Sequence, residues 1–180
     1  MAPNCQDTAS SRPDDAAIVL VGPMGAGKSS IGRGLARALK RPFFDTDHEI
    51  ERRTGVDIPT IFEFEGEQGF RDREAALLAE MIGRPGIVLA TGGGVVMRAE
   101  NRARLRDAMV VYLRVLPEES FRRTRKNKRR PLLNTADPKA RLAELFALRD
   151  PLYAEVANVV IEGHFPRVRD AVRQVLRTLG

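Results

Sequence analysis

Cysteine is almost absent from this 180-residue chain. Its one thiol, Cys5, stands in a polar stretch near the N-terminus, so neither an intrachain disulfide nor a cysteine-built metal cluster is open to it. Long apolar runs are missing too. No stretch of about 18 apolar residues could span a bilayer, and no apolar core follows a basic start as in a secretory signal. Transit peptides are poor in acids, whereas residues 1–15 carry Asp7, Asp14 and Asp15 among prolines and serines. These absences predict a cytoplasmic protein with no membrane segment and a disordered leader over 1–15. No internal repeat or low-complexity tract is found. The two histidines, His48 and His164, read as exposed polar positions without a catalytic role.

What is present is a chain that is 43% hydrophobic, enough for one sizeable core and short for two domains. One domain over 16–180, acting as a monomer, is expected. The net charge of +6 resembles a nucleic-acid signal until it is located. Seven of the 30 Lys and Arg fall between Arg122 and Arg130 with no acid among them, and the other 23 face 24 Asp and Glu. A duplex-binding surface spreads its cations over a face. One basic loop suits a single polyphosphate better, although a solvated charge run or a nucleic-acid contact is its plain alternative.

Apolar runs at residues 17–21, 42–45, 86–90, 109–113 and 159–161 read as short strands. Helical periodicity lies between them. Ile31, Leu35, Ala38 and Leu39 form one face over 28–40, and Ala75, Leu77, Leu78 and Met81 form another. A last helix over 165–179 should turn Val168, Val172, Val175, Leu176 and Leu179 inward. Alternating strands and helices predict an α/β fold with a five-stranded parallel sheet between two helical layers.

Gly22 to Ser29 (GPMGAGKS) fits the P-loop pattern GxxxxGK[ST] without a mismatch, between an apolar strand and a helical pattern, where that motif belongs. Glycines let the backbone wrap a phosphate with its amides inward, and the following helix offers a partly positive N-terminus. Lys28 would reach the outer phosphates, and the Ser29 hydroxyl would complete a magnesium shell.

The P-loop does not name the phosphate acceptor. Asp45 and Asp47 follow the second strand, and alternation along an extended segment would align their carboxylates, one for magnesium and one for an acceptor hydroxyl. Asp47 could instead cap a helix starting near His48. Gly92, Gly93 and Gly94 follow the third strand, where bare backbone could approach a ligand or simply form a tight turn. Arg71 has the fork that matches a carboxylate, or it forms a surface ion pair with Glu74.

In order along the chain stand the P-loop followed by Gly32, the segment Asp45 to Asp47 with Glu49, and Ile61 to Glu67 (IFEFEGE). Phe70, Arg71 and Glu74 (FRxxE), Gly92 to Gly94, Arg130 to Leu133 (RPLL), and Arg149, Pro151, Leu152 and Tyr153 (RxPLY) follow. This order resembles the shikimate kinase family from about residue 18 to 179. The resemblance implies a three-layer α/β/α P-loop kinase that transfers the γ-phosphoryl group of ATP to the 3-hydroxyl of shikimate, with Mg2+. It implies that Gly25, Ala26, Gly27, Lys28, Ser29 and Ser30 hold the nucleotide, Ser29 and Asp45 the metal with its water shell, and Asp47 the ring hydroxyls, with Asp47 as a candidate base. Arg71 and Arg149 would clamp the carboxylate, and Gly92 to Gly94 would line the acceptor pocket within a segment of about 45–75. A mobile lid over about 122–137 would place Arg123 on adenine and Arg130 at the phosphoryl group, and Pro166 would touch the nucleotide. FRxxE and RxPLY argue against a gluconate or nucleoside monophosphate kinase, which would share only the nucleotide half.

Overall fold

The first apolar run becomes the central strand β1 (Ile18–Val21), buried along its whole length because it has a neighbour on each side and helices on both faces. The computed structural model describes residues 16–125, 135–162, 165 and 167–180. The proposed leader, much of the proposed lid, and the expected roles of Arg130, His164 and Pro166 lie outside these residues.

β1 is followed by helix α1 (Lys28–Leu39), strand β2 (Phe43–Asp45), and helices α2 (Thr46–Thr54) and α3 (Ile58–Ile82). Strand β3 (Val88–Ala90), a short 3-10 turn at Val95–Met97, helix α4 (Ala99–Leu105) and strand β4 (Met109–Arg114) come next. Helices α5 (Pro117–Thr124) and α6 (Pro138–Val156), strand β5 (Val159–Glu162) and helix α7 (Val168–Leu179) complete the order. The five strands are parallel in the order β2-β3-β1-β4-β5, so every connection must cross the sheet ends and the helices cover both faces.

Side-chain alternation divides the core. Val19, Val21, Leu89, Val110 and Tyr112 pack with residues of α3, α4 and α6. Ile18, Leu20, Val88, Val111 and Leu113 pack with α1 and α7. The predicted strand set, the parallel sheet and the three layers are all present.

Two inward assignments change. Ala38 is exposed while Gly32 and Ala36 are buried, because α1 turns its glycine side toward the sheet: a Cβ on Gly32 would come within 2.5 Å of the Phe43 ring. Val168, expected to face inward, is 46% exposed and lines a cleft beside Arg123, while Ala171, which was not in the inward set, is fully buried.

Candidate active site

The carboxyl ends of β1, β2 and β3 meet at one edge of the sheet, where open α/β folds bind ligands. They are laced together. Thr91 Oγ1 donates to the Leu20 carbonyl at 2.9 Å, and the Gly92 amide donates to Thr46 Oγ1 at 3.0 Å. A cleft of about 500 Å³ opens above them. Its walls bring together Lys28 and Ser29 of the P-loop, Asp45 and Asp47, Arg71, Gly92 to Gly94, and Arg149.

On the nucleotide side, Gly27 takes a left-handed conformation at φ 89° and starts α1 without any side-chain cap, and no acid lies in the first turn. The amides at this helix end are therefore left to an anion, as a phosphate site requires. Lys28 Nζ donates to the carbonyls of Gly22 and Pro23 at 2.7 and 2.9 Å, which holds the ammonium across the mouth of the loop. Ser29 Oγ donates to Asp45 Oδ2 at 2.5 Å, so the two residues expected to serve a metal are in direct contact.

A second cleft, of about 310 Å³, lies on the other side of the P-loop and shares Gly25, Gly27 and Ser30 with the first. Its apolar walls include Ala26, Leu113, Val115, Ile161, Phe165 and Val168, and Arg114, Glu119, Arg122 and Arg123 line it as well. Arg123 is steadied by Glu119 at 2.6 Å and by the Gly25 carbonyl at 3.0 Å. An apolar slot with a guanidinium at its edge fits a flat heterocycle.

The aspartates do not align by strand alternation. The extended chain ends at Asp45, and the helix begins at Thr46. Asp45 is itself the cap, since its Oδ1 accepts from the amides of Asp47 and His48 at 3.1 and 3.5 Å. That leaves Asp47 in the first turn of α2, on the cleft wall, and not a cap. His48 is exposed, as expected.

Arg71 is 7% exposed, and its pair with Glu74, at 2.8 Å, is buried and not on the surface. Glu67 accepts from it at 3.1 Å. Burial alone would lower the Arg71 pKa, and the Glu74 and Glu67 carboxylates override it and keep the guanidinium charged. Glu74, fully buried, has its pKa raised by burial against the pull of Arg71 and Arg149. Arg149 is pushed below its usual value by burial, with the neighbouring Arg71 acting in the same direction. Its Nε is buried without a hydrogen-bond partner. Arg71 is paired with Glu74 and Glu67, whereas Arg149 lines the cleft with its Nε unmatched, so Arg149 is the cation that a carboxylate ligand would meet.

The glycine triplet is a wall, each member against a different site group. A Cβ on Gly92 would come within 2.4 Å of Glu74 Oε1 and 3.0 Å of Asp47 Oδ1, and one on Gly94 within 2.3 Å of the Arg71 guanidinium. Gly93 faces Gly22, Met24 and Arg149. Sequence reasoning placed Glu74 in FRxxE yet gave it no place in the site; the i,i+3 spacing from Arg71 was the available signal. It also missed Ile58, Phe62 and Phe70, the apolar side of the cleft. Among the described residues no cluster of His, Cys, Asp and Glu could hold a metal by itself, and no helix is long and apolar enough to cross a membrane.

Comparison with known proteins bears on this geometry. The family model described as shikimate kinase matches residues 24–180. A shikimate kinase of Thioalkalivibrio sulfidiphilus is 58% identical over 161 residues, 89% of this chain and 85% of that protein. One of Burkholderia thailandensis is 58% identical over 163 residues, 90% and 89% of the two chains. The solved shikimate kinase of Acinetobacter baumannii in complex with shikimate superposes with a TM-score of 0.89 at 49% identity, covering 91% of this chain and 92% of the other.

Proposed function

The chain belongs to the shikimate kinase family, and from that premise we propose how its own residues transfer the γ-phosphoryl group of ATP to the 3-hydroxyl of shikimate. The supporting observation is a single cleft in which a phosphate cradle faces two buried guanidiniums and an aspartate. One wall suits ATP and the other a small carboxylated polyol.

Adenine enters the apolar slot beside Arg123, and the phosphates run over the P-loop to the N-terminus of α1 and Lys28. Arg149, together with Arg71, takes the shikimate carboxylate, which anchors the ring by its end away from the reacting hydroxyl. Asp47 accepts the 3-hydroxyl proton as its oxygen bonds to the γ-phosphorus. The bond from that phosphorus to the β,γ-bridging oxygen breaks, ADP departs, and the proton passes on to solvent. Phosphoryl transfer through a loose transition state asks the protein mainly for position and positive charge, which these residues supply.

Magnesium fits the oxygen pair of Ser29 and Asp45, because this ion keeps several waters and takes few protein ligands. When bound, it neutralises charge on the phosphate oxygens. Arg130 is proposed from the family resemblance alone to approach the phosphoryl group, within a lid over about 122–137 that excludes water; Pro166 is proposed on the same ground as a nucleotide contact. The acceptor segment of about 45–75 is likewise part of this proposal, and so is action as a cytoplasmic monomer.

Phosphorus NMR of the protein with magnesium, ATP and shikimate is expected to show ADP and one new phosphomonoester coupled to the ring proton at carbon 3. A phosphoester at another hydroxyl, or inorganic phosphate alone, contradicts the assignment of the acceptor face.

A further inference from the structure

Tyr153 is fully buried in α6, and its hydroxyl donates to the carbonyl of Gly93. The other two carbonyls of the triplet are held locally. Gly92 accepts from the Val95 amide at 3.3 Å and Gly94 from the Met97 amide at 3.0 Å, both within the turn that follows β3. Among the described residues, the middle carbonyl alone of the three is held by a side chain from another element, 60 residues further along the chain.

That carbonyl belongs to the peptide joining Gly93 to Gly94, and a planar trans peptide turns as one body. Its surroundings leave little slack: a Cβ on Gly93 would stand 3.6–3.7 Å from Gly22, Met24 and Arg149, and one on Gly94 would strike the guanidinium of Arg71. The same peptide thus borders the phosphate loop and both cations of the carboxylate clamp. Burial raises the Tyr153 pKa, so its hydroxyl keeps its proton and remains a donor; the adjacent Arg149 pulls the other way.

The ring is placed from behind. Tyr112 of β4 packs against it with centroids 4.9 Å apart. Tyr112 donates to Asp150 Oδ1 at 2.6 Å, and Arg114 grips both oxygens of Asp150 at 2.9 and 2.8 Å. Asp150 follows Arg149 in α6, so this network fixes the helix that carries both Arg149 and Tyr153.

We propose that Tyr153 is a positioning residue for the acceptor site: its hydroxyl locks the Gly93–Gly94 peptide, and through it sets the spacing of Arg71, Arg149 and the P-loop. The proposal rests on the reading of the cleft given above. It assigns Tyr153 no contact with shikimate or ATP. It predicts a split between the two substrates, because the locked peptide borders the carboxylate clamp while the adenine slot is on the far side of the P-loop.

The test compares wild type, Tyr153→Phe and Tyr112→Phe by steady-state kinetics in both substrates and by thermal melting. Tyr153→Phe keeps the ring and removes one donor, leaving the part-buried Gly93 carbonyl without its side-chain partner. The expected result is a KM for shikimate raised roughly three- to thirtyfold, with the KM for ATP changed less than about twofold. Tyr112→Phe removes the hydroxyl of the other tyrosine in the same stack, but Arg114 still holds Asp150, so the KM for shikimate should stay within about twofold of wild type whatever the change in melting temperature. An unchanged shikimate KM in Tyr153→Phe overturns the proposal. So does an equal rise in Tyr112→Phe, which would mark a general loss of packing. Shikimate-dependent turnover by wild type in the same assays secures the parent reading, so its failure is told apart from failure of the positioning role.

Discussion

Lys28→Ala is expected to lower kcat by about a hundred- to a thousandfold, the scale of losing one preorganised group that stabilises transition-state charge. Lys28 stands at the entry of α1, where the amides of the first helical turn have no side-chain cap and no acid lies in that turn. In a loose transition state, charge spreads over the phosphoryl oxygens, and a fixed cation there acts more strongly than in the ground state. The fold should tolerate the change. Lys28 is only partly buried, and its two bonds to the Gly22 and Pro23 carbonyls are worth about 1 kcal/mol each. Steady-state kinetics and a melting curve together check this. Turnover within about tenfold of wild type would remove Lys28 from the mechanism.

Arg71→Ala should damage stability and acceptor binding together. Its guanidinium is the ion-pair partner of Glu74, whose side chain is fully buried. Removing one member of a buried pair leaves an uncompensated carboxylate, at a cost of about 3–5 kcal/mol. For a domain of this size that corresponds to a fall in melting temperature of roughly 6–20 °C. The protein that remains folded should bind shikimate at least about tenfold more weakly, since a charge-assisted contact is lost. Arg71→Lys separates the two effects: it retains a cation for Glu74 but loses the planar fork, so it should recover much of the stability and less of the binding. A melting temperature within about 2 °C of wild type in Arg71→Ala would contradict the buried pair.

The nucleotide half was legible because its signal is local. The P-loop needs its glycines, Lys28 and Ser29 at fixed spacing between a strand and a helix, and short-range pattern carries all of that. The acceptor half is assembled from the start of α2, α3, the end of β3, and α6, so its meeting depends on the strand order β2-β3-β1-β4-β5, which no local pattern states. Family resemblance named most of those residues in advance. The physical argument for the aspartates failed, because Asp45 itself ends the strand and caps α2, which moves Asp47 onto a helical turn. The Arg71–Glu74 pair read equally well as a surface contact, since i,i+3 spacing fixes proximity and says nothing of depth. Gly66, at φ 70°, breaks α3 in the middle; a glycine inside a helical pattern is a weak breaker signal, and no break was expected there.

The central claim is that one cleft joins a phosphate cradle to a clamp for a carboxylated polyol. It is tested most directly by ADP release with magnesium and ATP, comparing shikimate, quinate, gluconate, nucleoside monophosphates and no acceptor, with Lys28→Ala as control. The account predicts release that requires shikimate and is lost in the control. Release that is equal without acceptor, or faster with gluconate or a nucleoside monophosphate, would contradict it.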